Sequence, residues 1–149
     1  MFNKILVVCT GNICRSPIAE ALLRQRLAEK DKGQGQRTIA SAGVAALIGY
    51  PADPLAIEVS RDAGLDIQDH RAQQATQPLL SAMDLILTLD QTHNDWITRT
   101  YPQLRGRVHK LLRWRNNGDV ADPYRQGRAA FDKAFEDIQL GIGDWLKRV

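Results

Sequence analysis

Residues 5–17 read Ile5-Leu6-Val7-Val8-Cys9-Thr10-Gly11-Asn12-Ile13-Cys14-Arg15-Ser16-Pro17. The first four form an unbroken apolar, partly β-branched run, the pattern of a strand covered on both faces. Ser16-Pro17 reads as a helix start, with a capping hydroxyl followed by proline at the first helical position. A strand, a glycine-containing loop and a helix in this order form the opening of a β-α-β unit. That unit predicts an α/β fold with a mostly parallel sheet.

The flanking sequence continues the alternation. The first helix carries Ile18, Leu22, Leu23 and Leu27 on one side and ends in the polar stretch Asp31–Arg37. Thr38–Gly43 reads as a second strand. Asp53-Pro54 repeats the cap-plus-proline signal, and Gly64 closes that helix. Asp84–Leu89 is a third strand, with Asp90 placed to cap the helix after it. Val108–Leu112 is a fourth. Phe131, Phe135, Ile138, Ile142 and Trp145 recur at helical spacing and predict a last helix facing the core. No repeat, linker or low-complexity tract interrupts the chain, so residues 1–149 are expected to form one domain.

Composition narrows the class. At 149 residues, 44% hydrophobic and 25% charged, the chain is neither disordered nor a disulfide-stapled miniature. No apolar run approaches the ~20 residues of a membrane span, and the N-terminus lacks a signal-peptide pattern. These features predict a cytoplasmic protein with free thiols, not inserted in a membrane. Arg99, Arg105, Arg107, Lys110, Arg113 and Arg115 lie in a stretch without Asp or Glu. They read as the solvated face of a helix and a strand, or as an attraction for an acidic or phosphorylated tail. A nucleic-acid partner is not expected.

In α/β folds ligands bind beyond the carboxyl ends of the strands, where Cys9–Ser16 falls. A strand-loop-helix junction gathers backbone N–H groups at the positive end of a helix and suits a tetrahedral anion. Arg15 can add two parallel N–H bonds to phosphate oxygens. The same surroundings favour the thiolate of Cys9, a nucleophile beside a bound phosphoryl group. Other readings of the loop fail on spacing. It lacks the Gly-x4-Gly-Lys of a nucleotide loop and the three glycines of a dinucleotide fingerprint. Its cysteines are Cys-x4-Cys, not Cys-x2-Cys, and His70, His93 and His109 are too scattered for a structural zinc site. No metal or organic cofactor is expected.

The Cys-x5-Arg-Ser run at Cys9–Ser16, together with Asp122-Pro123-Tyr124, resembles the signature of the low-molecular-weight protein tyrosine phosphatases. The resemblance extends over essentially the whole length. It is closest to bacterial members associated with tyrosine kinases of capsule and exopolysaccharide export, through Ile5–Pro17 and Ser41-Ala42-Gly43. It implies a three-layer sandwich whose central, mostly parallel four-stranded sheet is flanked by helices. It also implies that Cys9 forms a phosphocysteine, and that Arg15 and the loop residues Thr10, Gly11, Asn12, Ile13 and Cys14 bind the phosphoryl group. Asp122 would serve as general acid, with Asp119 and Asp90 as rivals. Asn12, Ser16, Ser41 and His70 would hold the loop, and Ser16 would donate to the Cys9 sulfur. Gln73 departs from the family's usual arginine and leaves the surroundings of His70 open. Tyr124 and Leu47 are expected as walls for a substrate ring, with the aliphatic run Val44–Ile48 where animal members carry an aromatic. Cys14 is also a candidate resolving thiol for Cys9. The implied substrate is a phosphotyrosine protein, a bacterial tyrosine autokinase. Two rivals remain: a thiol-dependent arsenate reductase of the same fold, for which only Cys9 and Cys14 are available, and an inactive phosphotyrosine-binding module.

Overall fold

The computed structural model describes residues 2–149. Four parallel strands run β1 (Lys4–Cys9), β2 (Thr38–Gly43), β3 (Leu85–Thr88) and β4 (Val108–Lys110), in the spatial order β2-β1-β3-β4. The helices are α1 (Arg15–Lys30), α2 (Pro54–Asp62), α3 (Gln77–Ser81), α4 (Gln91–Thr100) and α5 (Arg128–Leu146), with a 3-10 helix at Pro102–Arg107. The fold is an α/β sandwich with helices on both faces of the sheet.

Alternation along β1 builds the two cores. Ile5, Val7 and Cys9 pack with Ile18, Leu22, Leu23 and Leu27 of α1 and with Phe131, Ile138, Ile142 and Trp145 of α5. Leu6 and Val8 point the other way, against Ile86, Ile97, Leu104 and Val108. Both faces of β1 are dry, which accounts for its continuous apolar run. Trp145 satisfies its indole N–H on the Leu111 carbonyl at 3.0 Å, so the ring can be buried whole.

Several boundaries differ from the sequence reading. Helix α1 starts at Arg15, with Cys14 at the cap position and no side-chain cap bond, so Ser16 is not the cap and Pro17 is the third helical residue. Strand β4 stops at Lys110 because the chain turns there; Leu111 and Leu112 are core residues beyond it. The short helix α3 and the 3-10 helix carry no periodic apolar signal in the sequence, being too brief for one. Asp53 and Asp90 do cap α2 and α4 through their side chains.

The strand order places the site. The chain leaves β1 toward β2 on one side, and β3 lies on the other, so a crevice opens at the carboxyl ends of β1 and β3. The turn after β1 and the cap of α4 after β3 meet there.

Candidate active site

Residues Thr10–Cys14 span the gap between β1 and α1. The carbonyls around the turn are taken up by its neighbours. Those of Cys9, Thr10, Gly11 and Ile13 accept from the N–H groups of Val44, Ala45, Leu47 and Asp53. The Asn12 carbonyl accepts from His70 Nε2 at 2.7 Å. The N–H groups of Thr10–Cys14, by contrast, find no acceptor among the described residues. A run of unpaired N–H groups leading into a helix is a nest for an anion.

The turn is braced from behind. Asn12 is fully buried with φ of 60°, a conformation that asparagine tolerates better than most residues. Its amide nitrogen donates to Ser16 Oγ at 2.8 Å and Ser41 Oγ at 2.9 Å. Its amide oxygen accepts from the Gln73 N–H at 2.9 Å. The Ser41 hydroxyl donates to Glu20 Oε1, and Gln73 Nε2 donates to the Ser41 carbonyl at 2.9 Å. Gln73 thus ties the Asn12 side chain to β2. His70 sits on the same brace. The Asn12 side chain lies behind the loop, where a brace is expected, and does not line the cavity, so any part in anion binding falls to its backbone N–H.

Cys9 Sγ lies 2.8 Å from Ser16 Oγ. Since Asn12 already donates to that oxygen, the hydroxyl proton of Ser16 is left for the sulfur, the form of contact that stabilises a thiolate. Ser16 is therefore occupied by Cys9 and Asn12, the physical reason that it does not cap the helix. Cys14 is also buried and reduced. Burial, with Asp53 adding to it, pushes its thiol far above the ordinary range. Cys14 therefore stays protonated, which leaves Cys9 as the candidate nucleophile of the loop.

Arg15 is 2% exposed and held on several sides. Nη1 donates to Asp90 Oδ2 and to the Val120 carbonyl, both at 2.8 Å. Nη2 is 3.4 Å from Thr10 Oγ1 and 3.8 Å from Asp122 Oδ2. Burial alone would raise the Asp90 carboxyl, but hydrogen bonds from Thr92 and Arg15 hold it below the usual range. The Asp90 carboxylate is thereby placed to orient Arg15. Asp119 is paired with Lys110 across the mouth of the β4 turn. Asp122 has a 52% exposed side chain, and its Oδ1 accepts only a local bond from the Tyr124 N–H at 3.1 Å.

A cavity of about 190 Å³ opens over this ring of groups. Cys9, Thr10, Gly11, Ile13, Cys14 and Arg15 form its floor, and Ala45, Leu47, Asp122 and Tyr124 its walls. Floor and walls bring together residues as far as 115 positions apart, Cys9 and Tyr124. Sequence reasoning found most of them. It missed the Arg15–Asp90 pair and His93 behind it. The available signal was an acidic residue at the end of β3, beside the loop after β1.

The basic stretch turns out to be structural in large part. Arg107 donates to the Ser81 and Met83 carbonyls, and Arg115 pairs with Asp144 at 3.0 Å. Lys110 is buried against Asp119 and the Asn117 carbonyl.

Residues 4–149 match the family model described as low molecular weight phosphotyrosine protein phosphatase. Over its whole length the chain is 47% identical to a Ralstonia nicotianae protein described as "Probable low molecular weight protein-tyrosine-phosphatase EpsP", covering 97% of it. Among solved structures, the tyrosine phosphatase AmsI of Erwinia amylovora superposes with a TM-score of 0.91 at 39% identity, with 100% of this chain and 94% of that one covered. Vibrio vulnificus Wzb in complex with benzylphosphonate superposes with a TM-score of 0.90 at 42% identity, both chains covered fully. The protein belongs to the low molecular weight protein tyrosine phosphatase family.

Proposed function

We propose that the protein hydrolyses phosphotyrosine through a phosphocysteine intermediate, with Cys9, Arg15 and Asp122 as its catalytic residues. The observation that carries this reading is the turn Thr10–Cys14: its carbonyls are spent outward, its N–H groups are unspent, and a cysteine and an arginine stand at its two ends. A phosphoryl group seated there presents phosphorus to Cys9 Sγ.

The sulfur attacks, the S–P bond forms and the P–O bond to the phenol breaks. Asp122, across the cavity, gives its proton to the departing phenolate oxygen. Water then attacks phosphorus and Asp122 takes its proton. The S–P bond breaks, returning the thiolate and releasing inorganic phosphate. Arg15 and the N–H groups hold the three phosphoryl oxygens through both steps, where charge builds. Leu47 and Tyr124 face a substrate ring from two sides. A ligand with a benzyl ring and a phosphonate occupies the Wzb relative, which fits a substrate of the same shape.

The physiological substrate in this reading is a tyrosine-autophosphorylated kinase of bacterial polysaccharide export, reached in the cytoplasm. The likeness to the exopolysaccharide-associated subgroup supports it. No described helix is long and apolar enough to cross a membrane, so the kinase would bring its phosphorylated segment to this domain.

The test is p-nitrophenyl phosphate hydrolysis by reduced protein at mildly acidic to neutral pH, beside Cys9→Ser. Wild-type turnover that disappears in Cys9→Ser is the expected result. A reduced, folded wild type that binds phosphate without turnover would place the protein among phosphate-binding modules instead.

A further inference from the structure

His93 is fully buried at the third position of α4, with its ring behind the floor of the cavity. Its two nitrogens have different partners. Nδ1 faces the Asp90 backbone N–H at 3.2 Å, a group that can only donate. Asp90 Oδ1, 3.4 Å from the same nitrogen, already accepts from the N–H groups of Thr92 and His93 and from the Thr92 hydroxyl. Nδ1 therefore carries the lone pair. Burial pushes the ring down to about 4, against the pull of Asp90, so it is neutral near pH 7. Its single proton is on Nε2, which donates to Thr10 Oγ1 at 2.9 Å.

Arg15 Nη2, also only a donor, approaches the same oxygen at 3.4 Å. Thr10 Oγ1 thus receives two hydrogen bonds, and its own proton has to go elsewhere. No described residue accepts it, and Thr10 lines the cavity floor beside Cys9 and Arg15. The groups form a closed circuit: Arg15 to Asp90, Asp90 to His93, His93 to Thr10, and Arg15 to Thr10.

From this circuit we infer that the Thr10 hydroxyl is a further donor to the bound phosphoryl group, and that His93 is the positioning residue that aims it. The inference rests on the phosphate-cradle reading of the site. It adds a side-chain donor to the backbone N–H groups, and makes the cap of α4 part of phosphate recognition.

Inorganic phosphate affinity, read by calorimetry on reduced protein, tests it without requiring turnover. Thr10→Val keeps the shape and removes the donor; it is expected to weaken phosphate binding about tenfold, whereas Thr10→Ser stays within threefold. His93→Phe should weaken it to a similar degree, because the hydroxyl proton is then free to turn to other partners. The Thr10→Val/His93→Phe pair should be no worse than Thr10→Val alone, the signature of one shared interaction. His93→Gln retains an acceptor for the Asp90 N–H and a donor for Thr10, and should restore phosphate binding to within threefold of wild type. Unfolding curves identify any variant that has lost its fold. If His93→Phe is one, Thr10→Val against Thr10→Ser and His93→Gln decides alone. Phosphate affinity in Thr10→Val within twofold of wild type, or losses that multiply in the double variant, would overturn the inference. Failure of wild-type turnover with phosphate binding intact would instead sink the hydrolase reading and leave this one standing.

Discussion

The two halves of the proposed catalytic site are built on opposite principles. The turn Cys9–Ser16 is buried at Cys9 and from Asn12 to Ser16, with Thr10 exposed at the cavity, and its side chains are tied to β2, α4 and each other through Asn12, Ser41, Gln73 and Asp90. The segment carrying Asp122 and Tyr124 is exposed, and is anchored at its root by the Val120 N–H on the Leu89 carbonyl and the Val120 carbonyl on Arg15. Beyond Val120 its recorded hydrogen bonds are local ones. A group that stabilises charge works best when it is already in place, since reorganising dipoles during reaction costs energy. A group that delivers a proton to the leaving oxygen must also let a protein-borne ring enter and leave. Rigidity serves the first task and exposure the second.

The sharpest separation of the two regions is Asp122→Asn. It should lower kcat on aryl phosphates by at least ~10²-fold, while inorganic phosphate affinity stays within a factor of two. Phosphate affinity that fell along with turnover would make the exposed segment part of the cradle and dissolve the distinction. Asn12→Ala probes the braced side. It deletes three buried hydrogen bonds and leaves alanine at a positive φ, for a loss of about 3 kcal/mol and a Tm lower by roughly 10 °C. A thermal scan showing a fall of only a degree or two would mean that the brace is ornamental.

Acid should act on the buried side as well. The His93 ring titrates near 4 in the folded protein and near 6.5 when unfolded, so between these values the unfolded chain binds more protons. Folding stability should therefore decline as pH falls from about 6.5 toward 4, by at most about 3 kcal/mol from this residue. The Asp90 carboxyl, also held low, adds loss in the same direction at still lower pH. Denaturant melts at a series of pH values would show this slope, and His93→Gln should flatten it. The smallest effect is expected at the exposed side. Tyr124→Ala should raise KM for an aromatic phosphomonoester about fivefold, with Tm unmoved, because the ring is 36% exposed and packs on no core.

What the sequence disclosed follows the same division. The strand Ile5–Val8 and the loop after it were legible because burial on both faces and anion chemistry impose residue types on a contiguous run. The stripe of α5 was legible for its period. Asp122 could be picked out only through a family signature, since nothing in its neighbours encodes a partner 113 positions earlier in the chain. The Arg15–Asp90–His93 circuit stayed hidden for a related reason. Asp90 had an adequate local explanation as a helix cap, and a side chain can cap with one oxygen while serving an arginine with the other. Ser16 is legible by half: its hydroxyl stands 2.8 Å from the Cys9 sulfur, as the family resemblance implies, whereas the cap reading fails because α1 starts one residue earlier, at Arg15.

Gly43, the last residue of β2, contributes no atom to the chemistry. Yet a methyl placed on it would stand 2.3 Å from the Thr10 carbonyl oxygen and 3.0 Å from the Asn12 nitrogen. The neighbouring strand thus acts as a mould pressed against the outside of the phosphate cradle, and its smoothness at one point sets the curve of the loop. In the language of heredity, this is a position where a single added carbon would force the loop out of its curve while leaving every reacting group intact. A screen of random variants would therefore find an intolerant site in a stretch that looks like plain scaffold.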